Sequence, residues 1–283
     1  MSARAALLLA LCLLLHARSS HADDLDWVWP RFRPIEYAAT SVAGAASLGI
    51  YLAIPNASPA RVTGGVLLDE PIRTVLRMRS PHGRGIARYT SDLTALAALN
   101  WSLGIDSLLV PIARKSPDLA GQLMLLDAEA FAFSTLLTNS IFKLVGRGRP
   151  SYVECERDSN YDSLCHINDT SSFPSGHTNV AFTAAGLSCA HHLHVPLYND
   201  RTADIAACAG TLALAAATGT LRIVGDRHYA TDVWVGALIG FAVGYGVPTL
   251  LHYDRGKTET SVPAGMQPLS GSAPIGPSFS GTF

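Results

Sequence analysis

The chain has 283 residues, of which 48% are hydrophobic and 15% are charged, and its formal net charge is −1. A protein that binds the phosphate backbone of nucleic acids needs a basic surface, so this charge balance argues against that class. Apolar segments are the main organising feature of the sequence.

Residues 1–22 have the pattern of a secretory signal peptide. Arg4 precedes an apolar stretch from Ala5 to Leu15, and Ser20 and Ala22 are the small residues that a cleavage site requires. The apolar stretch is too short for a comfortable membrane span. The sequence therefore predicts export to a bacterial cell envelope.

Six later apolar stretches have the lengths of helices rather than strands. They are Ala38 to Ile54, Leu93 to Val110, Leu119 to Val145, Thr178 to Val195, Ala203 to Leu221 and Val233 to Leu251. The last two are each about long enough to cross a bilayer core. Polar residues in the second, such as Asp106, either face a bundle interior or indicate a soluble helix. We predict an all-α, multi-helix transmembrane bundle of about six helices, with a soluble helical protein as the alternative.

Two further segments lie outside these stretches. Residues 66–78 predict an amphipathic helix, which either lies at the membrane surface or packs on the domain. Its apolar residues are Val66, Leu67, Leu68, Ile72, Val75 and Leu76. Residues 254–283 are rich in Ser, Gly and Pro without periodicity, and we predict a flexible C-terminal tail.

The cysteines differ in their surroundings. Cys12 belongs to the signal segment, and Cys189 and Cys208 lie in apolar stretches, which predicts buried thiols. Cys155 and Cys165 share one polar loop and could form a disulfide in an oxidising compartment. No spacing of cysteines and histidines typical of a structural metal site is present.

The pentapeptide Phe173-Pro174-Ser175-Gly176-His177 predicts an anion site. Pro174 suits the first turn of a helix, which places Ser175, Gly176 and His177 in that turn with free backbone amides. Free amides at the positive end of a helix dipole bind anions, and His177 could protonate a group that leaves the anion. The alternative is a helix start with an incidental histidine.

His228 and Asp232 predict a nucleophilic pair. Residues four apart on a helix share a face, so the carboxylate could bond one ring nitrogen and leave the other free to attack. The alternative is a pair that only caps the helix. Asp226 and Arg227 beside it are predicted to be solvated. His191, His192 and His194 cluster at the far end of the same predicted helix as His177, and we predict that they lie at a surface.

Three basic residues could bind a phosphate. Arg149 and Arg222 present planar forks that match phosphate oxygens, and Lys143 adds a third positive charge. If successive helices alternate in direction, Arg149, His177, Arg222 and His228 reach the same face of the bundle. The sequence therefore predicts one phosphate-binding pocket.

These residues together resemble the signature of the type 2 phosphatidic acid phosphatase (PAP2) superfamily, which includes bacterial acid phosphatases and vanadium haloperoxidases. The likeness covers residues 143–236. Two positions depart from the family pattern: five residues rather than six separate Lys143 from Arg149, and Leu221 replaces the usual serine. Because the changed spacing rotates Lys143 on its helix, Arg147 could substitute for it.

The resemblance implies a PAP2-like helical domain at residues 23–253 with a haloperoxidase-like core. It implies that His228 attacks phosphorus to form a phosphohistidine while His177 protonates the leaving alkoxide, with Asp232 orienting His228. The developing charge would be held by the phosphate-binding residues, which are Lys143, Arg149, Arg222 and the amides of Ser175 and Gly176. No metal and no cofactor are implied.

Three functions follow from the resemblance. The first is a membrane phosphatase that acts on lipid phosphate monoesters or diphosphates, with membrane lipids as its surroundings. The second is a secreted acid phosphatase of broad specificity, and the third is a vanadate-dependent haloperoxidase. The sequence does not predict the oligomeric state.

Two sets of observations give opposite predictions for the side of the membrane that the site faces. A cleaved signal followed by three spans would place Arg149 in the cytoplasm, and the arginines of residues 56–91 favour that side. The two cysteines of the 155–165 loop and the resemblance favour the periplasm. We predict a periplasmic site, which requires either that Ala38 to Ile54 does not span or that residues 1–22 are not cleaved.

Overall fold

A computed structural model describes residues 25–165 and 170–254. The predicted signal peptide at residues 1–22 lies outside the described residues, as does the predicted tail from residue 255 onward. Within the described residues the regular structure is helical, and an isolated β-bridge joins Val62 to Arg147. The all-α prediction is confirmed.

The helices are bounded as follows: α1 Pro34–Ala53, α2 Asp69–Leu76, α3 Pro81–Leu99, α4 Val110–Ala113, α5 Pro117–Val145, α6 Pro150–Arg157, α7 Gly176–His194, α8 Arg201–Val224 and α9 Ala230–Pro248. A π-helical segment, Asn100–Leu109, joins α3 to α4, and another, Thr249–Tyr253, extends α9. The six predicted apolar stretches lie within these helical segments, to within one residue at their ends, and two of them, Leu93 to Val110 and Val233 to Leu251, continue through a π-helical segment.

Helix α7 is the centre of the bundle. It packs most extensively on α9 and α8, and also contacts α5 and α3. Small residues make this close packing possible, because Ala181, Ala184 and Ala185 are fully buried against the neighbouring helices. Nearly every side chain of α7 is therefore internal.

Helices α1 and α5 run side by side in the same direction. The Phe32 amide donates to the side chain of Gln122 near the start of α5, and the Lys143 ammonium donates to the Ile54 carbonyl near its end. α1 therefore runs from the far end of the bundle to the end that carries Lys143.

Three helices of the described residues are long and apolar enough to cross a membrane by length and composition: Pro81–Ala113, Arg201–Val224 and Ala230–Tyr253. The last two contain the stretches predicted to span most readily. The first starts earlier than predicted, because Arg84 and Arg88 of α3 are paired with Asp162.

Two predictions of exposed polar residues are wrong, because the structure buries these side chains. Asp226 is fully buried and paired with Arg73 at 2.7 Å, so it is not solvated. His191 is also buried, 2.9 Å from Asp127. His192 is likewise buried and lies 2.6 Å from Asp204. The acidic partners come from other helices or loops, which a local pattern does not reveal.

Four cysteines are paired. Cys155, in α6, and Cys165, in the segment that follows it, are joined, with an S–S distance of 1.99 Å. Cys189 of α7 and Cys208 of α8 are also joined, with an S–S distance of 2.00 Å. The prediction of two buried thiols at 189 and 208 is therefore wrong, because the helices bring these two side chains together.

Candidate active site

His228 lies in the turn between α8 and α9, and its ring is buried. Its Nδ1 lies 2.7 Å from the backbone oxygen of Ser172. Because a carbonyl oxygen only accepts hydrogen bonds, Nδ1 carries the proton and Nε2 carries the lone pair. Nη1 of Arg149 donates a hydrogen bond to that Nε2 at 3.2 Å. Nε2 is therefore the ring nitrogen that can attack an electrophile.

Asp232 supports His228 through Ser172 rather than directly. Oδ2 of Asp232 is 3.7 Å from Nδ1 of His228, which is too long for a hydrogen bond. The same oxygen accepts hydrogen bonds from the Ser172 hydroxyl at 2.5 Å and from the Tyr229 amide at 2.8 Å. Oδ1 is paired with Arg147 at 2.7 Å. The expected direct bond to the imidazole is thus not the geometry observed, and Ser172 was not identified from sequence.

The environment of His228 keeps its ring neutral. Burial lowers the pKa of His228 to about 4, the positive charge of Arg149 acts in the same direction, and Asp232 opposes both. A neutral imidazole is the form that has a lone pair for attack. The pocket therefore maintains the reactive form at neutral pH.

His177 and Arg222 share a carboxylate that sequence reasoning missed. Nε2 of His177 lies 3.2 Å from Oδ1 of Asp92, and the same oxygen is paired with Nη2 of Arg222. Asp92 comes from α3, immediately before the apolar stretch that starts at Leu93. This anion lies between the candidate acid and a candidate phosphate ligand, where a phosphoryl oxygen could also be bound.

The His177 ring is about half exposed, at 51% of its side-chain surface. Partial burial lowers the pKa of His177, and the charge of Arg222 lowers it further. An anionic ligand would oppose both effects by stabilising the protonated ring. His177 is thus placed to gain a proton when an anion binds.

One cavity of about 630 Å³ joins most of the predicted residues. Five of them line it: Lys143, Arg149, Gly176, His177 and His228. A Cβ added at Gly176 would meet no atom within 4 Å, so the backbone is open to a ligand at this position. Of the four residues expected to converge on one pocket, Arg149, His177 and His228 line it and Arg222 does not.

Lys143 lines the cavity with its ammonium group held by the segment after α1. Nζ lies 2.5 Å from the Ile54 carbonyl and 2.8 Å from Oδ1 of Asn56. Arg147 does not substitute for Lys143, because it is buried and paired with Asp69 and Asp232. The left-handed backbone at Gly146, with φ of 57°, ends α5 and separates the two basic side chains.

Ser175 differs from expectation. Its amide donates to the Asp232 carbonyl at 2.9 Å, so this N–H is already satisfied. Its side chain caps α7 by accepting from the Thr178 amide. The helix therefore begins at Gly176, and Pro174 precedes it instead of occupying its first turn. Gly176 is the amide of this motif that faces the cavity wall.

Among residues 25–165 and 170–254, no group of three or more His, Cys, Asp and Glu side chains is placed to hold a metal ion. Arg149 and Lys143 supply positive charge at the cavity, and Arg222 is paired with Asp92, which also contacts His177. This arrangement can bind an anion and offer it a nucleophile and a proton donor.

Residues 125–255 match the PAP2 superfamily. An 86-residue segment is 40% identical to the lipid A 1-phosphatase of Porphyromonas gingivalis, and it covers 29% of this chain and 18% of that protein. The chain thus spans less than a fifth of this curated relative's length.

Two solved structures are also similar. The crystal structure of Aquifex aeolicus LpxE has a TM-score of 0.42 and 21% identity, over 65% of this chain and 96% of that chain. The first transmembrane PAP2 type phosphatidylglycerolphosphate phosphatase from Bacillus subtilis has a TM-score of 0.46 and 19% identity, over 88% of this chain and 96% of that chain.

Proposed function

We propose, from the match of residues 125–255 to the PAP2 superfamily, that the chain hydrolyses phosphate esters or diphosphates of lipids. The observation that carries the proposal is the mixed lining of the cavity. His228, His177 and Arg149 line it together with apolar side chains that include Leu52 and Phe142. A phosphorylated lipid has these two parts, an anionic head and an apolar body.

The proposed first step is attack by Nε2 of His228 on phosphorus. The bond from phosphorus to the lipid oxygen breaks, and His177 gives its proton to the departing alkoxide. The proton on Nδ1 of His228 stays with the ring, bonded to the Ser172 carbonyl. The product of this step is a phosphohistidine and a free lipid alcohol.

In the second step a water molecule attacks the phosphohistidine. His177, now neutral, accepts a proton from this water, and inorganic phosphate leaves. Arg149 and Arg222 stabilise the charge on the phosphoryl oxygens through both steps, as does the Gly176 amide. The Asp92 carboxylate must move away from Arg222 when the phosphate binds to Arg222.

The proposal is tested by phosphate release from detergent-purified protein without added metal. The substrates are dispersed phosphatidic acid, a lipid A phosphate and a small water-soluble phosphomonoester. We expect the wild type to prefer a lipid and His228→Ala to lose activity at least about a thousandfold. His82→Ala is the matched control, because His82 is an exposed histidine of α3 outside the cavity.

Each outcome has a distinct meaning. Equal or better cleavage of the soluble ester would replace the proposal with a broad-specificity acid phosphatase. Turnover by His228→Ala near the wild-type rate would remove the nucleophile assignment.

A further inference from the structure

Helix α2 presents an exposed apolar surface beside the site. This surface, called the apolar rim, consists of Val66, Leu67 and Leu68 just before the helix, Val75 within it and Met78 just after it. Leu67 is 87% exposed and Val75 is 81% exposed. Leu68 and Val75 are two turns apart and so lie on the same side of the helix. The rim therefore joins the segment before α2 to one side of the helix.

The charged side of α2 points into the protein. Asp69 is fully buried and lies 2.8 Å from Nη2 of Arg147. Arg73, four residues later, is buried and lies 2.7 Å from Asp226. This arrangement is the reverse of a helix on a water-soluble protein, where the apolar side is buried and the charged side is exposed. Ion pairs hold α2 in place and leave its apolar side available.

A third side of α2 is polar and exposed. Glu70 and Thr74, four residues apart, are both exposed and lie away from the rim, and Glu70 borders the buried side, with Oε2 3.4 Å from Nη1 of Arg73. The helix thus has one side for the protein, one apolar side and one side suited to water. A helix at a boundary between water and an apolar phase has this three-way division.

The position of α2 matches the ends of two membrane-capable helices. The Met78 amide donates to the carbonyl of Val224, the last residue of α8. Ile72 packs against Ile223 of α8 and Ala230, the first residue of α9. Each of these spans has 24 residues, about 36 Å of helix, against a hydrocarbon core of about 30 Å. Their ends, and α2 with them, fall at the headgroup level.

We propose that the apolar rim of α2 is inserted at the boundary between the headgroups and the acyl chains of the bilayer that α8 and α9 cross. The partner is the lipid surface itself. The contact lies near the chemistry, because Asp69 binds Arg147 and Arg147 binds Asp232. Two ion pairs therefore connect the membrane-facing helix to the residue that supports His228.

The test is the depth of spin labels on α2 in vesicles of phosphatidylcholine and phosphatidylglycerol. Labels are attached at Val75→Cys and Leu67→Cys, and at Thr74→Cys as the control on the water side. The full chain carries Cys12→Ser, so that the other native cysteines are all paired. Both rim sites are highly exposed, so labelling does not disturb the core. Collisions with oxygen, which partitions into lipid, are compared with collisions with a water-soluble nickel chelate.

We expect oxygen to exceed the nickel chelate severalfold at Val75 and Leu67 and the reverse at Thr74. Equal access of the nickel chelate at Val75 and Thr74 would overturn the proposal, because the rim would then lie in water. Exclusion of both probes from Val75 and Leu67 would also overturn it, since a protein segment would then cover the rim. The measurement needs no substrate, so its outcome is independent of the proposed phosphatase activity.

Discussion

Burial and the charge of Arg149 lower the pKa of His228 to about 4, and this shift sets the acid side of the expected pH profile. Above that pH the ring is neutral and Nε2 can attack; below it a proton occupies the lone pair. We expect kcat/KM to fall as the pH decreases through about 4. Profiles of phosphate release between pH 3 and 8 measure this limb.

The same pH profile tests whether the charge of Arg149 lowers the pKa of His228. Arg149→Gln removes a positive charge that lowers the pKa of His228, so the acid limb should move up by about one pH unit. Lys143→Gln is the control, because Lys143 also lines the cavity but is not one of the main causes of that pKa shift. An unchanged limb in Arg149→Gln would contradict the assigned cause, whatever the loss in rate.

Asp92 is expected to act on both substrate binding and proton transfer. Asp92→Asn removes the anion that occupies Arg222, so KM should fall. It also removes the carboxylate that favours protonated His177, so kcat should fall about fivefold for an alkyl phosphate, whose leaving group needs a proton. With p-nitrophenyl phosphate, whose leaving group is stable as an anion, kcat should change little.

Asp118→Asn provides a matched control for this variant. Asp118 has a similar side-chain exposure, 53% against 54% for Asp92, and it is paired with Arg31 at the start of α5. It should leave both kinetic constants unchanged. Equal losses of kcat on the two esters in Asp92→Asn would indicate a structural effect and contradict a role in proton transfer.

The residues of the site differ in how readily the sequence identifies them. His177 and His228 stand in short motifs at helix starts, where chain direction and spacing predict their meeting. Asp92 lies 130 residues before Arg222, and no local pattern connects the two. Ser172 contributes a backbone carbonyl, which its residue type does not indicate. Contacts of this kind depend on the packing of whole helices.

At the scale of helices, the contact between α7 and α9 is limited by backbone atoms. A Cβ at Gly240 would lie 2.4 Å from the carbonyl oxygen of Asn179. Gly240→Ala must therefore push the two helices apart, and we expect a loss of about 1–3 kcal/mol in stability. Thermal midpoints of the detergent-purified protein, taken at one heating rate, measure the change.

Gly246→Ala on the same helix is the control. A Cβ there would meet no atom within 4 Å, and alanine favours a helix over glycine, so the midpoint should stay the same or rise. If Gly240→Ala is as stable as Gly246→Ala, then α7 and α9 are not as tightly packed as the structure places them.

The helices themselves were largely predictable, and their ends were not. Apolar stretches located the cores of the long helices, since burial requires apolar residues. Helix α3 begins at Pro81, well before Leu93, because Asp162 neutralises Arg84 and Arg88 inside the protein. Helix α2 was predicted as amphipathic, but the direction of its charged side depends on Arg147 and Asp226, which lie far away in sequence.

For the whole molecule, the direction of α1 narrows the possible membrane orientations. α1 runs parallel to α5, so Leu25 and the active site lie at opposite ends of the bundle. If the signal peptide is cleaved, Leu25 lies on the periplasmic side of the membrane and the active site lies on the cytoplasmic side. Helix α1 is not among the three helices of the described residues that are long and apolar enough to span, but its contacts with α5 still extend from one end of the bundle to the other. A periplasmic site requires that residues 1–22 remain uncleaved with Leu25 in the cytoplasm.

The Cys155–Cys165 disulfide supports the periplasmic orientation, because a disulfide in a polar loop persists in an oxidising compartment and is reduced in the cytoplasm. We therefore expect a reporter fused after Val195, at the end opposite the site, to be cytoplasmic, with alkaline phosphatase inactive and green fluorescent protein fluorescent. A fusion after Asp158 should show the opposite pattern. N-terminal sequencing of the purified protein should find residues 1–22 still attached. Active alkaline phosphatase after Val195, together with a mature start at Asp23, would place the site in the cytoplasm and restrict its substrates to lipids of the inner leaflet.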